Sequence, residues 1–385
     1  MKNRLKKLSK QDWFSFIGIF LVTIGNYFCS SWIDMPLRNV IGVSVITIGS
    51  ILLFTDVINN FKNKIYTKKQ LKIICVITIL CSLVFHRLDV YFVSLIIAMS
   101  FLNKNLKFMF KCLFFSMLIG ILIIVFLNLL NIIPDFISYR EVEGVITHRY
   151  SLGFRNPNVL FRLYMSMTLC GVIAFDKNKI YMFITFLLGL LMYRLTDSRM
   201  GLVMLFLVFM IGLLPIKFLK KISFNKAFPY LFIFGLLISI ATALLFEKGI
   251  INNILSYRPE FWKVYIEDLE FFGRFKRITA EHIENGVKMD VIMPLDNLYL
   301  HILCYGGIYG FMVYSVLFFA AFKNAKTKEN YHLFIIFLIT FIYGYIEDFS
   351  NQNESMFVIL LIMMLLDKNK MEELKEDSLN ENSSN

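Results

Sequence analysis

Apolar segments of about 20 residues recur along the whole of this 385-residue chain, and they constrain its fold more than any other feature. A segment of that length crosses the ~30 Å hydrocarbon core of a bilayer as an α-helix. Lipid leaves no partner for unpaired backbone groups, so a spanning chain is helical or a closed barrel. The alternating ~10-residue segments of a barrel do not occur. The sequence therefore predicts an all-α polytopic membrane protein.

We predict about 12 transmembrane helices in one integral membrane domain, residues 1–366, followed by a polar tail, 367–385. The composition of the tail is typical of disorder. One large loop, about 247–296, separates the ninth span from the tenth. The predicted spans are 13–32, 40–58, 71–85, 88–102, 108–130, 158–175, 180–196, 199–215, 228–246, 297–322, 331–347 and 355–366.

Lysine is concentrated in every second predicted loop and near both termini. Cytoplasmic loops of membrane proteins carry an excess of positive charge, so these loops and both termini are predicted to face the cytoplasm of a bacterial plasma membrane. This placement of lysine accounts for most of the net charge of +12 and makes a nucleic-acid partner unnecessary. The six cysteines lie in apolar segments without metal-ligand spacing, so we expect them to pack.

Arginine has the opposite distribution, because eleven of the twelve arginines fall in or beside the predicted outer loops. Selection for topology alone would place both cations inside. The guanidinium fork binds phosphate in a bidentate manner and stays charged, which suits a diphosphate ligand. The alternative is that single arginines pair with carboxylates or with lipid headgroups.

The outer loop before the sixth predicted span contains HRYSLGFRNPN, with the candidate ligands Arg149, Arg155, Asn156 and Asn158. Proline at position 157 suits the first turn of a helix. A helix N-terminus with an adjacent arginine can bind an anion. The alternative is an ordinary capped helix start.

A tight outer turn, TDSRMGLV, places Asp197 and Arg199 at the hydrocarbon boundary. We expect Arg199 to face an internal cavity and hold a phosphate. The alternative is that Arg199 snorkels to the interface or pairs with Asp197.

The large loop contains RPEFWKVYIEDLEFF, in which apolar residues recur at helical spacing. This pattern predicts an amphipathic helix that lies on the outer membrane surface or over a cavity, with Arg258 beside its start. The alternative is a lid that only packs.

The tenth predicted span begins with DNLYLHILCYGGIYG. Asp296 is a candidate base for a sugar hydroxyl or, alternatively, the N-cap of the helix. Asn297 is a candidate substrate ligand, and His301 ranks below Asp296 because it lies on another face of the helix. Gly306 and Gly310 form a small-xxx-small surface that favours close helix packing.

Taken in order, these four stretches resemble the polysaccharide polymerase family usually called Wzy and its relatives, the O-antigen ligases. SLGFRNPN is similar to the family's Gly-Phe-x-(His/x)-Pro-Asn stretch, and TDSRMGL resembles its Ser-Arg turn. RPEFW resembles its Arg-x-x-x-Trp, and DNLYLHILCYGGIYG resembles its (His/Asp)-Asn, nine residues, Gly-x-x-Gly motif. The ligase pattern has histidine at the position of Asp296, which favours the polymerase branch.

The resemblance implies a GT-C-like, metal-independent glycosyltransferase that needs no cofactor. Its substrate would be a polyprenyl-diphosphate-linked oligosaccharide on the outer face of the membrane, and its partners would be membrane lipid, a flippase and a chain-length regulator. Arg199 and Arg258 would hold the diphosphate, with Arg149 or Arg155 as additional ligands and Asp296 as the base.

Two other functions fit the sequence. A ligase would move finished glycan onto a different acceptor. A transporter or flippase for lipid-linked sugars would carry polar residues through the depth of several spans, whereas the arginines of this chain are at one face. No Walker, GxGxxG, GxSxG, HExxH or paired CxxC motif occurs.

Overall fold

The computed structural model describes residues 10–33, 35–85, 88–102, 104–142, 145–175, 178–214, 228–255, 257–273, 278–284, 287–292, 295–324, 331–347 and 356–366. The predicted polar tail, 367–385, lies outside these residues, and so do three of the outer-loop arginines, Arg87, Arg274 and Arg277.

All twelve segments predicted to span the membrane are helical, and their ends lie within about five residues of the prediction. The helices are α1 (Lys10–Cys29), α2 (Met35–Lys62), α3 (Lys68–Phe85), α4 (Leu88–Ser100), α5 (Leu106–Leu129), α6 (Pro157–Ala174), α7 (Lys179–Thr196), α8 (Arg199–Leu213), α9 (Phe228–Leu245), α10 (Ile250–Ile254), α11 (Arg258–Glu267), α12 (Leu298–Asn324), α13 (Tyr331–Gly344) and α14 (Met356–Leu366). The short helices α10 and α11 belong to the large loop.

Within the described residues, six helices are long and apolar enough to cross a bilayer: α1, α2, α5, α6, α7 and α12. Helix α8 and the apolar part of α9 are shorter. Helices α4, α13 and α14 have 13, 14 and 11 described residues. At 1.5 Å per residue, such lengths fall short of ~30 Å. The chain is thus a multi-pass α-helical membrane protein, and the count of 12 spans stays a prediction.

Helices α1 and α2 form a tight antiparallel pair because four glycines line their contact. A Cβ atom added at Gly49 would lie 2.8 Å from the carbonyl oxygen of Gly18, and one at Gly25 would lie 2.7 Å from that of Gly42. Backbone approaches this close need residues without a side chain. The backbones of α1 and α2 therefore lie in direct contact.

Helix α6 lies at the centre of the bundle. Fifteen of its residues are buried, from Pro157 to Ala174, and it contacts α5, α7, α8 and α13. A helix that is apolar on all sides is expected in such a place. Its N-terminus therefore sits where several helix ends converge.

Two β-hairpins, which the sequence analysis did not predict, interrupt the helices. Strands β1 (Ile137–Val142) and β2 (Val145–Tyr150) pair antiparallel between α5 and α6, with Ser138 opposite Arg149. Strands β3 (Thr279–Glu284) and β4 (Val287–Ile292) pair in the same way within the large loop. Both hairpins lie outside the apolar segments.

Helix α12 is broken at Gly307, whose φ of 68° and ψ of −177° are not helical. A Cβ atom there would lie 2.2 Å from the carbonyl oxygen of Phe271, which accepts a hydrogen bond from the backbone N–H of Tyr309 at 3.2 Å. The loop segment after α11 is thus seated on the break. The predicted packing glycines, Gly306 and Gly310, flank this position.

A buried charged group marks the opposite end of the bundle. The ammonium group of Lys104 pairs with the carboxylate of Asp56, and Ser15 hydrogen-bonds to both. Ser15 lies near the start of α1, whereas Cys29 ends it, so a rise of 1.5 Å per residue separates the two by roughly 20 Å. The site described next lies at the Cys29 end.

Candidate functional site

The start of α11 places Arg258 against two carboxylates. Tyr257 has a φ of 62° and precedes the helix, and Pro259 follows at its second position. One guanidinium nitrogen of Arg258, Nη2, lies 3.2 Å from Oε1 of Glu347 and 3.5 Å from Oδ2 of Asp296. The side chain of Arg258 is only 13% exposed, so its pair with the buried Glu347 is shielded from water, whereas the Asp296 side chain is partly exposed. Two predicted site residues, Arg258 and Asp296, are thereby brought together.

The buried face of α11 fixes this position. Trp262 is fully buried, and its ring lies 5.5 Å from the ring of Tyr345 in an edge-on arrangement. Tyr345 precedes Glu347 by two residues, so the same contact sets the carboxylate and the arginine side by side. The helix ends at Glu267, before Leu269 and Phe272 of the predicted apolar face. Its apolar side packs on the protein.

Asn297, rather than Asp296, caps α12. Its side-chain oxygen accepts a hydrogen bond from the backbone N–H of Leu300 at 2.9 Å, and its amide donates to Oγ of Ser239 and to the carbonyl oxygen of Tyr345. Asn297 is fully buried, whereas the side chain of Asp296 is 40% exposed beside Arg258. In the structure Asn297 therefore caps α12, and its role as a substrate ligand stays a prediction. The structure leaves the carboxylate of Asp296 facing the cluster.

Glu347 is the most enclosed ionisable group in this cluster, and the sequence analysis did not select it. It lies in the turn after α13, where its backbone N–H donates to the carbonyl oxygen of Tyr343 at 2.8 Å. Its carboxyl is 7% exposed, and Oε2 lies 3.7 Å from Nη1 of Arg162. Burial raises the pKa of Glu347 to about 7, although the guanidinium of Arg258 favours the charged form.

Arg162 joins the cluster from α6 and was also not selected. The sequence carries a signal for each of the two residues. Arg162 is a charge one turn inside an apolar segment, and Glu347 is a charge at the end of another. Ionisable residues in such places cost free energy of insertion, so they are usually paired and often mark a functional site.

The start of α6 connects this cluster to a second group of predicted residues. Asn156 caps the helix through a 2.8 Å hydrogen bond from the backbone N–H of Asn158. The side-chain oxygen of Asn158 accepts a hydrogen bond from Nη2 of Arg149 at 2.7 Å. Asn158 and Arg162 are four residues apart, and such residues share one face of a helix.

Arg149 is held on two sides. Besides Asn158, its Nε atom donates to the carbonyl oxygen of Thr196, the last residue of α7, at 2.8 Å. The residue is 8% exposed. Strand β2 therefore fastens the ends of α6 and α7 together through one guanidinium group.

Three other predicted ligands lie at this end of the bundle with different surroundings. Arg155 is exposed and donates a hydrogen bond from Nη2 to the carbonyl oxygen of Cys29. Asp197 follows the last residue of α7 as its C-cap, with a φ of 45°. The ring of His301 packs on that of Tyr305 at 4.5 Å, inside α12.

Arg199 is exposed at the first residue of α8. It follows, by three residues, the Thr196 carbonyl that Arg149 binds. Among the contacts of the described residues, none joins Arg199 to Arg258. The predicted pairing of these two arginines around one diphosphate stays a prediction.

The arrangement defines a class of protein: a multi-pass α-helical membrane protein whose helix ends hold two arginines and two carboxylates under a loop helix. The arginines can neutralise an anionic ligand, and the carboxylates can accept a proton. No family model, curated protein or solved structure matches the chain.

Proposed function

We propose that this chain is an inverting glycosyltransferase that polymerises polyprenyl-diphosphate-linked oligosaccharide repeat units at the outer face of the bacterial cytoplasmic membrane. The observation that carries the proposal is the 3.5 Å contact of Arg258 with Asp296. These two residues come from separate stretches of the resemblance, and they meet at the boundary between an apolar bundle and its largest loop.

In the proposed reaction, a sugar hydroxyl of the acceptor repeat attacks the anomeric carbon of the donor glycan. The bond between that carbon and the diphosphate oxygen breaks, and the electron pair leaves with the polyprenyl diphosphate. Asp296, which is part-exposed beside the cluster, takes the hydroxyl proton. Arg258 and Arg162 offset the charge that develops on the leaving group in a low-dielectric site.

Arg149 and Arg155 supply further positive charge along the edge of the site, and Asn158 orients Arg149 through its hydrogen bond. Arg199, three residues beyond the carbonyl that Arg149 binds, extends this edge. The lysine distribution supports a site at the outer face, because the lysine-rich loops follow every second predicted span. In this proposal the 12 helices outside the large loop all lie in the membrane, as in a GT-C-like enzyme, and both termini are cytoplasmic.

The test is deletion of the gene followed by analysis of surface glycan and lipid-linked precursors. A lost polymerase leaves single repeats on the carrier lipid, whereas a lost ligase leaves long, unattached chains. A lost flippase leaves precursors in the cytoplasmic leaflet. Purified protein in detergent then separates enzyme from transporter, because synthesis of polymer from lipid-linked repeats needs no second compartment.

Complementation with point variants tests the residues. We expect Arg258→Lys to lower polymer yield about 100-fold, because lysine cannot reproduce the guanidinium fork at a developing charge. Arg194→Lys is the matched control, since Arg194 is exposed in the last turn of α7 and lies outside the cluster. Full-length polymer from the Arg258→Lys strain would contradict the role of Arg258.

A further inference from the structure

Glu347 bridges two arginines that come from different elements. Oε1 lies 3.2 Å from Nη2 of Arg258 in α11, and Oε2 lies 3.7 Å from Nη1 of Arg162 in α6. Each carboxyl oxygen therefore faces a different guanidinium group. The contact joins residues 89 positions apart in the chain, and the carboxyl is 7% exposed.

The same two guanidinium groups are the natural ligands for a phosphate. Carboxylate and phosphate oxygens bind the guanidinium fork with similar geometry. An incoming phosphate would meet two negative charges in this cluster, Glu347 and Asp296, when both are ionised. Negative charges that share one site of low dielectric repel each other strongly. Binding of the phosphate is therefore coupled to the charge on Glu347.

We propose that Glu347 is an exchangeable counter-ion, which holds Arg258 and Arg162 between turnovers and releases them to the substrate phosphate by taking up a proton. The inference rests on the proposed function, because it assumes a diphosphate substrate at this cluster. One proton passes from solvent to a carboxyl oxygen of Glu347 for each substrate molecule bound. The site thus loses the negative charge of Glu347 as it gains the negative charge of the phosphate.

The groups around Glu347 allow this exchange near neutral pH. Burial raises the pKa of its carboxyl to about 7, Arg258 and Arg162 lower it, and Asp296 raises it. From α13, Tyr343 lies one turn before Glu347 and faces the same charges. A carboxyl with that pKa gains or loses its proton at little cost.

The experiment measures binding of farnesyl diphosphate to the purified full-length protein in detergent, at about pH 6 and about pH 8. If the complex requires a protonated carboxyl with a pKa near 7, wild-type affinity falls about tenfold between these values beyond any change shared with Glu347→Gln. Glu347→Gln keeps the shape of the side chain but does not titrate. We expect the variant to bind about tenfold more tightly than wild type at pH 8 and equally at pH 6.

Ionisation of the diphosphate affects both proteins alike, so the comparison isolates Glu347. Inorganic diphosphate and farnesol are the companion probes. Inorganic diphosphate shows whether the phosphate groups alone produce the pH dependence, and farnesol shows whether the prenyl chain binds without them.

Calorimetry of the wild type in buffers of different ionisation enthalpy provides a reading that needs no variant. We expect uptake of close to one proton per farnesyl diphosphate at pH 8. Binding without proton uptake, or an equal pH dependence in wild type and Glu347→Gln, overturns the counter-ion role alone. Absence of farnesyl diphosphate binding by the wild type overturns it together with the diphosphate substrate. Proton-linked binding in a protein that makes no polymer supports the counter-ion and contradicts the polymerase.

Discussion

Asn297 shows how a polar residue at the edge of a candidate site can be wholly occupied by structure. Both hydrogens of its amide are donated, to Ser239 and to the carbonyl of Tyr345, and its oxygen caps α12. These bonds tie together α9, α12 and the turn after α13. The residue thereby fixes Asp296, its neighbour in sequence, at the mouth of the cluster.

We predict that Asn297→Ala lowers the free energy of unfolding by about 3 kcal/mol, because a cap is lost and two buried partners lose a donor. Asn178→Ala is the matched control. Asn178 caps α7 through the backbone N–H groups of Ile180 and Tyr181 but is exposed, so its loss should cost about 1 kcal/mol. Thermal midpoints of the purified proteins in detergent compare the two. Equal shifts would show that the bonds to Ser239 and Tyr345 contribute little.

Helix α12 is divided at Gly307 by contact with the loop that follows α11. Gly307 and Gly273 both have positive φ, at 68° and 81°. A Cβ atom at Gly273 would lie 2.1 Å from the carbonyl oxygen of Tyr305, and one at Gly307 would lie 2.3 Å from the nitrogen of Gly273. Backbone meets backbone here, so neither side can yield by turning a side chain.

We predict that Gly307→Ala is strongly destabilising, by about 3 kcal/mol or more, because it combines an unfavourable φ with a backbone clash. Gly249→Ala separates the two effects. Gly249 has a φ of 91° but nothing within 4 Å of an added Cβ, so only the conformational cost, about 1–2 kcal/mol, should remain. The measurement is again the thermal midpoint in detergent. A midpoint for Gly307→Ala no lower than that for Gly249→Ala would mean that the loop moves away without cost.

The elements also differ in how far the sequence predicted them. Each of the twelve helices outside the large loop is marked locally by an apolar segment bounded by charged or polar residues, and all twelve were predicted as helices. Strands β1 and β2, ISYREV and VITHRY, are short and mostly polar on a loop, where no apolar alternation distinguishes a strand from a coil. Gly306 and Gly310 suggested helix packing, whereas the helix break lies at Gly307 and depends on a loop that is distant in sequence.

In the described part of the chain, two clusters of buried charged side chains lie at opposite ends of the helix bundle. One contains Arg258, Glu347 and Arg162, and the other contains Asp56 and Lys104. The lysine-rich turn between α2 and α3 belongs to the second end. Positive charge is favoured on the cytoplasmic side, so the two ends should face different compartments.

We predict that a cysteine at Phe272 reacts with a membrane-impermeant maleimide in intact cells, whereas a cysteine at Lys69 reacts only after permeabilisation. Both side chains are exposed, so burial inside the protein does not decide the outcome. The parent chain, with its native cysteines alone, provides the background signal. Labelling of the Lys69 position in intact cells would contradict the predicted orientation, and with it the proposed reaction at the outer face.

The candidate site could be predicted only where its residues are marked by local sequence. Arg258 and Asp296 each stand beside a predicted helix start, and the structure brings them together. Glu347 and Arg162 are also marked locally, as charges in apolar segments, but only the packing of α13 and α6 brings them to Arg258. Arg199 was predicted from its turn alone, and the tertiary arrangement leaves it exposed and without a described contact to Arg258.

The segment from Arg258 to Gly273 is fastened at both of its ends. Arg258 is paired within the cluster at one end, and Gly273 is seated on the break in α12 at the other. A segment held at both ends cannot open by rotating about one end. The proposed lipid-linked substrate, if it enters beneath this segment, must either pass sideways between helices or displace both contacts in the same motion.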